Sequence, residues 1–488
     1  MKFTLKIGSL EQAQTEAIAL FVWEEGFTPY ADQIDRVLGG FLKKETLRRQ
    51  FKAETGKFLI VPSYKKLFAE KVILLGLGKK ADFNALKARQ VFAALAKKLK
   101  EEGIESLGFA NQADFEFVQA LVEGTTLGSY QFGKYKSVEP SKEKETEKEI
   151  VILVKDAREL VSLREKLTRG EIFSQATVFA RDLVNEPSSV TTPTYLASLA
   201  EKIGKNSKFL CKIYEKEALE KLGMGAFLGV AQGSDEPPKL IRLEYKGGNK
   251  KIVLVGKGIT FDTGGLSLKK QNEMETMKMD MAGAAAILAV FSVLEKIKPR
   301  LHVIGLMPVT ENMPSGKAIK PGDIVKAYNG KTIEVVNTDA EGRLILADAL
   351  AFGETLKPDL ILDIATLTGA CLVALGEDIA GIFSDEQKLV KEISQAGEAV
   401  GEKFWPMPLE KTYRELLKSE TADLKNVTGR HVGGAITAAL FLQEFVSKTP
   451  WAHLDIAGPA WQEKGTDLLP RGGTGFAVRT ISNFLEAL

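Results

Sequence analysis

Two acids stand two residues apart in the stretch 335–346, VVNTDAEGRLIL: Asp339 and Glu341, with Arg343 two further on. If this stretch is extended, its side-chain period of 2 puts all three on one face. Two carboxylates and a guanidinium between apolar runs are costly to bury uncompensated, and a metal ion compensates them most directly. A surface turn is the competing reading, because Asn-Thr-Asp-Ala-Glu-Gly is rich in turn formers. Upstream, the stretch 251–270 reads KIVLVGKGITFDTGGLSLKK and holds Lys257, Asp262 and Lys269. Asp280 follows in MKMDMAGAAAIL, just before an alanine-rich helical pattern over about 281–297, where it can also act as an N-cap. Lys257 reads on its own as an ion-pair partner of the acids. An oxygen-rich donor set of this kind suits zinc, manganese or magnesium.

Other chemistries find less support. The only histidines are His302, His431 and His453, and none has the H-E-x-x-H spacing of a zinc peptidase helix. His453 sits in an apolar context and reads as a core residue. Gly256-Lys257-Gly258 lacks the Ser or Thr of a phosphate-binding P-loop, and Phe261 occupies the place of the third glycine in G-x-G-x-x-G. A serine-hydrolase elbow is absent; Ser267 comes nearest, but Leu268-Lys269 follows it. A two-metal phosphoesterase would also use clustered carboxylates, though with more histidine or phosphate-gripping elements.

The elements that must position these residues alternate. Short apolar runs at 211–214, 240–245, 252–255, 302–309, 331–336 and 360–364 predict strands. Helical spacing predicts helices over 192–204, 216–222, 281–297, 344–355, 386–400 and 434–446. That alternation implies a mostly parallel sheet covered on both faces. In such sheets ligands bind at the strand ends, where Lys257 and Asp262 fall. Asn329-Gly330 marks a hairpin turn just before the acidic stretch. The first part, to about Tyr130, also mixes strands (17–22, 57–61, 71–75) with helices (33–42 and the basic amphipathic 85–102) and shows no ligand cluster. The stretch 131–149, QFGKYKSVEPSKEKETEKE, reads as an exposed loop or linker. A strand at 150–154 and a long helical pattern at 156–184 follow. These readings give an α/β chain of two domains, 1–168 and 169–488, with the boundary near Thr168.

The 488 residues suffice for two domains, with 44% hydrophobic and 27% charged residues. Sixty-six basic and 64 acidic residues leave a net charge of +2, so neither a nucleic-acid partner nor a membrane surface is expected. Two cysteines, Cys211 and Cys371, are too few for a disulfide framework, and Cys371 lies in an apolar run. The opening MKFTLKIGSLEQAQTEAIALF has no signal-peptide pattern, and no apolar run reaches the length of a membrane span, so the expected location is the cytoplasm.

Asn337–Leu344, NTDAEGRL, resembles the signature octapeptide of the leucine aminopeptidase (cytosol aminopeptidase) family of dinuclear-metal exopeptidases. Lys257, Asp262, Lys269 and Asp280 match the family's other functional positions in order and spacing. RDLVNEPSS at 181–189, DIATLTGA at 363–370 and WAHLDIAGPAW at 451–461 extend the likeness from about Phe179 to near the end. The resemblance implies a small macro-domain-like N-terminal domain and a larger catalytic domain. It implies two divalent metals per subunit (Mn²⁺ or Zn²⁺, with Mg²⁺ as a third choice). Asp262 and Glu341 would bridge them, Lys257 and Asp280 would complete one site, and Asp339 the other. It assigns Lys269 to the oxyanion of a tetrahedral intermediate and Arg343 to a bicarbonate acting as general base. Backbone groups of Thr366, Leu367 and Gly369 would align the peptide, and Met277 and Thr366 would line the first side-chain pocket, which favours Leu- or Met-like residues. The implied activity is release of N-terminal residues from short peptides by attack of a metal-activated water, in a homo-hexamer. Some relatives double as DNA-binding or structural proteins. All seven charged positions are intact here, which argues for catalysis.

Overall fold

The computed structural model describes residues 1–110, 117–137, 148–429 and 432–488. Residues 138–147 of the expected linker, and His431, lie outside the described residues. The chain forms two compact units: Met1–Gln175 with Gly465–Pro470, and Ala176–Lys464 with Arg471–Leu488. The division falls inside the long helix Ala157–Asn185, which also contains Thr168.

The first unit is built on β1 (Lys2–Ile7), β2 (Ala17–Trp23), β3 (Gly26–Phe27), β4 (Phe58–Pro62), β5 (Lys71–Gly76), β6 (Ser106–Ala110) and β7 (Glu149–Val154). They run in the order β1-β7-β6-β2-β5-β4, with β3 paired to β2. The pairs are parallel except β4–β5 and β2–β3. All seven residues of β2 are buried, as its unbroken apolar run requires of a central parallel strand. The helix Ala85–Glu101 is capped by Asn84, whose side chain accepts from the amides of Leu86 and Lys87, and it buries Val91, Phe92, Leu95 and Leu99. The single helix expected over 33–42 is instead two, Pro29–Val37 and Phe41–Arg48. Thr28 and Pro29 start the first earlier than the apolar spacing suggests. Gly39 and Gly40, both at positive φ, separate the two.

The second unit is built on β8 (Leu210–Tyr214), β9 (Lys239–Lys246), β10 (Lys250–Gly256), β11 (Gly258–Asp262), β12 (Leu301–Asn312), β13 (Ile324–Lys326), β14 (Thr332–Glu334), β15 (Leu360–Ala365), β16 (Ile379–Phe383), β17 (Lys403–Pro406), β18 (Leu424–Lys425) and β19 (Trp451–Asp455). The main sheet has the order β17-β16-β19-β15-β10-β12-β9-β8, with β11 on β12. Its central strands β19, β15, β10 and β12 are mutually parallel, and β16, β9 and β8 add antiparallel pairs toward the edges. β13 and β14 form the hairpin that Asn329-Gly330 marks, and β18 pairs parallel with β14. Every residue of the helix Ala282–Phe291 is buried. Among the described residues, no helix is long and apolar enough to cross a membrane.

Two local readings of the sequence change here. The stretch 335–346 is not extended: β14 ends at Glu334, and a helix runs from Gly342 to Thr355. Arg343 therefore lies in the first turn of a helix, and a period of 2 does not relate it to Asp339. Asp280 is not the N-cap of the alanine-rich helix. Met281 holds that place, with no side-chain cap, and the Asp280 carboxylate is engaged elsewhere.

Candidate metal centre

β10 is a buried strand between β12 and β15, and Lys257 follows directly at its C-terminal end. The chain continues as β11, which carries Asp262 at its own end, opposite Asn312 on β12. The helix Ala282–Phe291 brings Asp280 to the same ends because Gly283 packs against β15. A Cβ at Gly283 would lie 2.1 Å from the Ile364 carbonyl oxygen. Gly342 opens the helix that follows Glu341, and a Cβ there would lie 2.4 Å from Lys257 Cε. The first approach, onto backbone, needs glycine, and the second lets the Lys257 side chain lie against the helix start.

Asp262, Asp280 and Glu341 are buried, and each offers a carboxylate oxygen within 4.8 Å of the others. Lys257 Nζ lies 2.7 Å from Asp280 Oδ1 and 3.0 Å from Glu341 Oε1, and donates to the Thr366 carbonyl at 2.9 Å. Lys269 Nζ lies 2.8 Å from Asp262 Oδ2 and 2.5 Å from Asp339 Oδ1. Asp339 is the partly exposed member and stands across Lys269 from the three buried acids. Asp262 Oδ1 accepts from the Gly264 amide and from Asn312 Nδ2. Asp280 Oδ1 accepts from the Thr366 hydroxyl, while Asp280 Oδ2 is buried without a hydrogen-bond partner.

The electrostatics show an excess of acid. Burial, reinforced by the neighbouring Glu341, pushes Asp262 up to about 6. Burial also raises Asp280 well above the usual carboxylate range, against the pull of Lys257, and raises Asp339. Glu341 moves the other way: burial opposes its charge, but Lys257 and Lys269 hold it below the usual value. Burial likewise works against both lysines, yet the surrounding carboxylates keep both ammonium groups above the ordinary lysine value. The distances place Lys257 as an ion-pair partner of the acids. Four carboxylates share two ammonium groups, and one buried oxygen of Asp280 has no donor. Hard oxygen donors in excess of their cations fit a divalent metal.

Arg343 is buried, donates from Nη1 to the Asn426 carbonyl at 2.7 Å, and its Nε has no partner. Burial lowers its guanidinium to about 10, against the charges of Glu341 and Asp455. Thr366 follows β15, and Leu367, Thr368 and Gly369 lead into the helix Gly369–Leu375. Gly369 is exposed and faces open space. The Leu367 amide is already bonded to Asp455 Oδ1, at 3.2 Å. Met277 is half-buried at the start of a short 3₁₀ helix, Met277–Met279, and its carbonyl accepts from the Asp280 amide. His453 is fully buried in the core, 2.5 Å through Nδ1 from Asp363 Oδ1.

Three supporting residues were not singled out by the sequence reading. Asn312 ties Asp262 to the Thr338 carbonyl. Asp455, at the end of β19, holds the turn 367–368 through the Thr368 hydroxyl and two amides. Asn426 grips the loop 336–340. Asp455 lies in the matched block WAHLDIAGPAW, which is a signal; Asn426, in TADLKNVTG, has none.

The comparisons with known proteins agree with this geometry. Residues 178–482 match the description "Cytosol aminopeptidase family, catalytic domain", and residues 19–139 match its N-terminal domain. A probable cytosol aminopeptidase of Sulfurihydrogenibium sp. (strain YO3AOP1) is 43% identical, over 99% of this chain and 98% of the relative. One of Alkaliphilus metalliredigens (strain QYMF) is 41% identical over the full length of both. Among solved structures, a tomato leucine aminopeptidase mutant aligns with a TM-score of 0.89 at 34% identity, over 100% of this chain and 97% of that one. The bottromycin maturation enzyme BotP in complex with Mn gives 0.86 at 35% identity, over 97% and 99%. A buried, acid-rich centre at the ends of parallel strands, in a chain matched along nearly its whole length, places this protein in the cytosol aminopeptidase family, as a metallo-aminopeptidase.

Proposed function

We propose that the centre holds two divalent cations and removes N-terminal residues, preferably Leu- or Met-like, from short peptides. The observation that carries this reading is the trio of buried carboxylates, Asp262, Asp280 and Glu341, with one Asp280 oxygen lacking any donor. Asp262 and Glu341 would be shared by both cations, Lys257 and Asp280 would complete one site, and Asp339 the other. Lys257 can ligate only as a neutral amine, so a dication among these acids must displace its proton. BotP, similar along nearly the whole chain, is described with Mn, which favours manganese; zinc and magnesium suit the same donors.

When bound, such cations supply Lewis acidity and lower the pKa of a water molecule. The remaining work falls to the chain's own groups. Lys269, between Asp262 and Asp339, is an ammonium poised to stabilise an oxyanion. Arg343 would hold a bicarbonate as general base, since its Nε is unpartnered and a guanidinium grips planar anions in pairs of hydrogen bonds. Thr366, Leu367 and Gly369 would align the peptide backbone. The Leu367 amide is occupied by Asp455, so its carbonyl is the group left for substrate. Met277 and Thr366 would line the first side-chain pocket.

We further propose a homo-hexamer in the cytoplasm; the unpaired Cys211 and Cys371 suit a reducing compartment. The test of the activity is an assay of leucine p-nitroanilide cleavage on chelated protein, with Mn²⁺, Zn²⁺ and Mg²⁺ restored one at a time. Activity should return with metal. Full activity in metal-stripped protein would overturn the reading.

A further inference from the structure

The segment that carries Asp339 and Glu341, between β14 and the helix Gly342–Thr355, belongs to neither element. Its shape is imposed by Asn426, which follows β18 and is fully buried. Asn426 Oδ1 accepts from the Val336 amide at 2.8 Å and the Asn337 amide at 3.3 Å. Its Nδ2 donates to the Asn337 carbonyl at 2.6 Å and the Ala340 carbonyl at 3.5 Å. Its own amide donates to the Glu334 carbonyl at 3.0 Å, and its carbonyl accepts from Arg343 Nη1 at 2.7 Å. Every polar group of this residue therefore serves the segment 334–343.

The four acids depend on this grip unequally. Asp262 is set by the Gly264 amide and Asn312, and Asp280 by Lys257 and Thr366. Glu341 is set by Lys257 at 3.0 Å and by its own carbonyl, which accepts from the Leu344 and Ile345 amides of the following helix. Asp339 lies between Asn337 and Ala340, the two residues whose carbonyls Asn426 holds. Its amide is bonded to the Asn337 side chain at 2.8 Å, so a shift of Asn337 carries Asp339 with it.

We propose that Asn426 is a positioning residue that holds Asp339 in ligating posture, so that the cation on the Asp339 side depends on it while the cation at Lys257 and Asp280 does not. The proposal rests on the two-cation reading above. A partner that orients a metal ligand typically alters affinity by about 10–100-fold. Here that change falls on one of two binding steps.

The experiment is a calorimetric titration of chelated full-length protein with Mn²⁺ alone, with melting curves recorded on the same samples. Wild type should bind in two steps, and Asp339→Ala identifies the step that belongs to Asp339. Asn426→Ala should weaken that same step by about 10–100-fold and leave the other unchanged. Asn426→Asp keeps the acceptor for the Val336 and Asn337 amides but sets a buried carboxylate oxygen against the two carbonyls, so it should weaken the same step at least as much. If the alanine variant does not fold, the aspartate variant decides. Wild-type affinity at both steps in the folded variants overturns the proposal. So does equal weakening of both steps together with a lower melting temperature, which marks a purely structural role. Wild-type protein that binds fewer than two ions overturns the two-cation reading itself.

Discussion

Both units bury charge, and they do so in opposite ways. In the first unit, Arg89 and Glu123 are almost wholly buried and lie 2.6 Å apart. Arg89 also donates to the Ala85 carbonyl, and Glu123 also accepts from Gln119. A cation and an anion are paired there, and neutral groups add further bonds to each. In the second unit, four carboxylates meet two ammonium groups, and Asp280 Oδ2 has no donor. Buried charge alone is thus no mark of function. The mark is stoichiometry: where each buried anion has a buried cation the charges offset each other, while an acid-rich cluster has bonding capacity for a cation from outside.

The largest effects should separate these two regions. Asp262→Ala and Glu341→Ala should each lose metal and reduce kcat/KM by more than about 10³-fold, because each is proposed to serve both cations. Glu123→Ala should instead lower stability by about 3–5 kcal/mol, because it strands the Arg89 charge. Activity per folded molecule should stay at the wild-type level. Elemental analysis, steady-state rates and denaturant melts on the three variants check the contrast. Two metals per chain retained in Asp262→Ala would break it.

Next in size is Arg343, whose unpartnered Nε extends the excess bonding capacity to an anion. Arg343→Ala should keep its metals and lose rate by about 10²–10⁴-fold, the usual worth of general-base assistance. Added bicarbonate should stimulate carbonate-depleted wild type and do little for the variant. An equal response in both would remove the anion-binding role, and loss of metal would show that Arg343 serves only to fix Glu341. Lys269→Ala should also keep its metals, with kcat falling by about 10²–10³-fold, as for loss of one oxyanion donor. Metal-free Lys269→Ala protein would mean that its place between Asp262 and Asp339 serves metal retention.

Much of the centre was legible because acids and lysines in apolar surroundings are conspicuous in sequence. Lys257, Asp262, Asp280 and Glu341 do converge, and the strands β10, β12 and β15 that carry or flank them are long apolar runs. What escaped was local geometry set by tertiary contact. β11, Gly-Ile-Thr-Phe-Asp, is too short and too close to β10 to read as a separate strand; its register shift on β12 is what places Asp262 opposite Asn312. The acidic segment follows an apolar run that predicts a strand, yet Asn426, 86 to 90 residues away, holds it as a loop. Asp280 looked like a cap because it precedes a helix, but a buried ammonium is a stronger partner than orphan amides. In the first unit, Gly39-Gly40 broke a helix that apolar spacing alone ran through.

The smallest effect concerns a third arrangement, a buried acid answered by no cation. Asp348 is fully buried on the helix Gly342–Thr355. Its Oδ2 accepts from the Phe227 amide at 2.8 Å and its Oδ1 from the Tyr328 amide at 2.7 Å. Burial nonetheless pushes its carboxyl up to about 7, against the pull of those amides. The sign follows from linkage: the folded state binds the proton more tightly than the unfolded chain, whose value is 3.8. Stability from this group is therefore greatest below the unfolded value, falls as pH rises from about 4 to about 7, and is level above that. Asp348→Asn cannot titrate, and its amide turns one N–H toward a backbone donor, at a cost of about 1–3 kcal/mol. Wild type should thus be the more stable protein at pH 5, and its advantage should shrink as pH approaches 8. Melting temperatures of the two proteins across that range, at saturating Mn²⁺, give the difference directly, because titrations common to both cancel. A gap that stays constant with pH would show that backbone amides alone suffice to keep this buried carboxylate ionised, and cation stoichiometry would then be a weaker guide to function than the metal centre suggests.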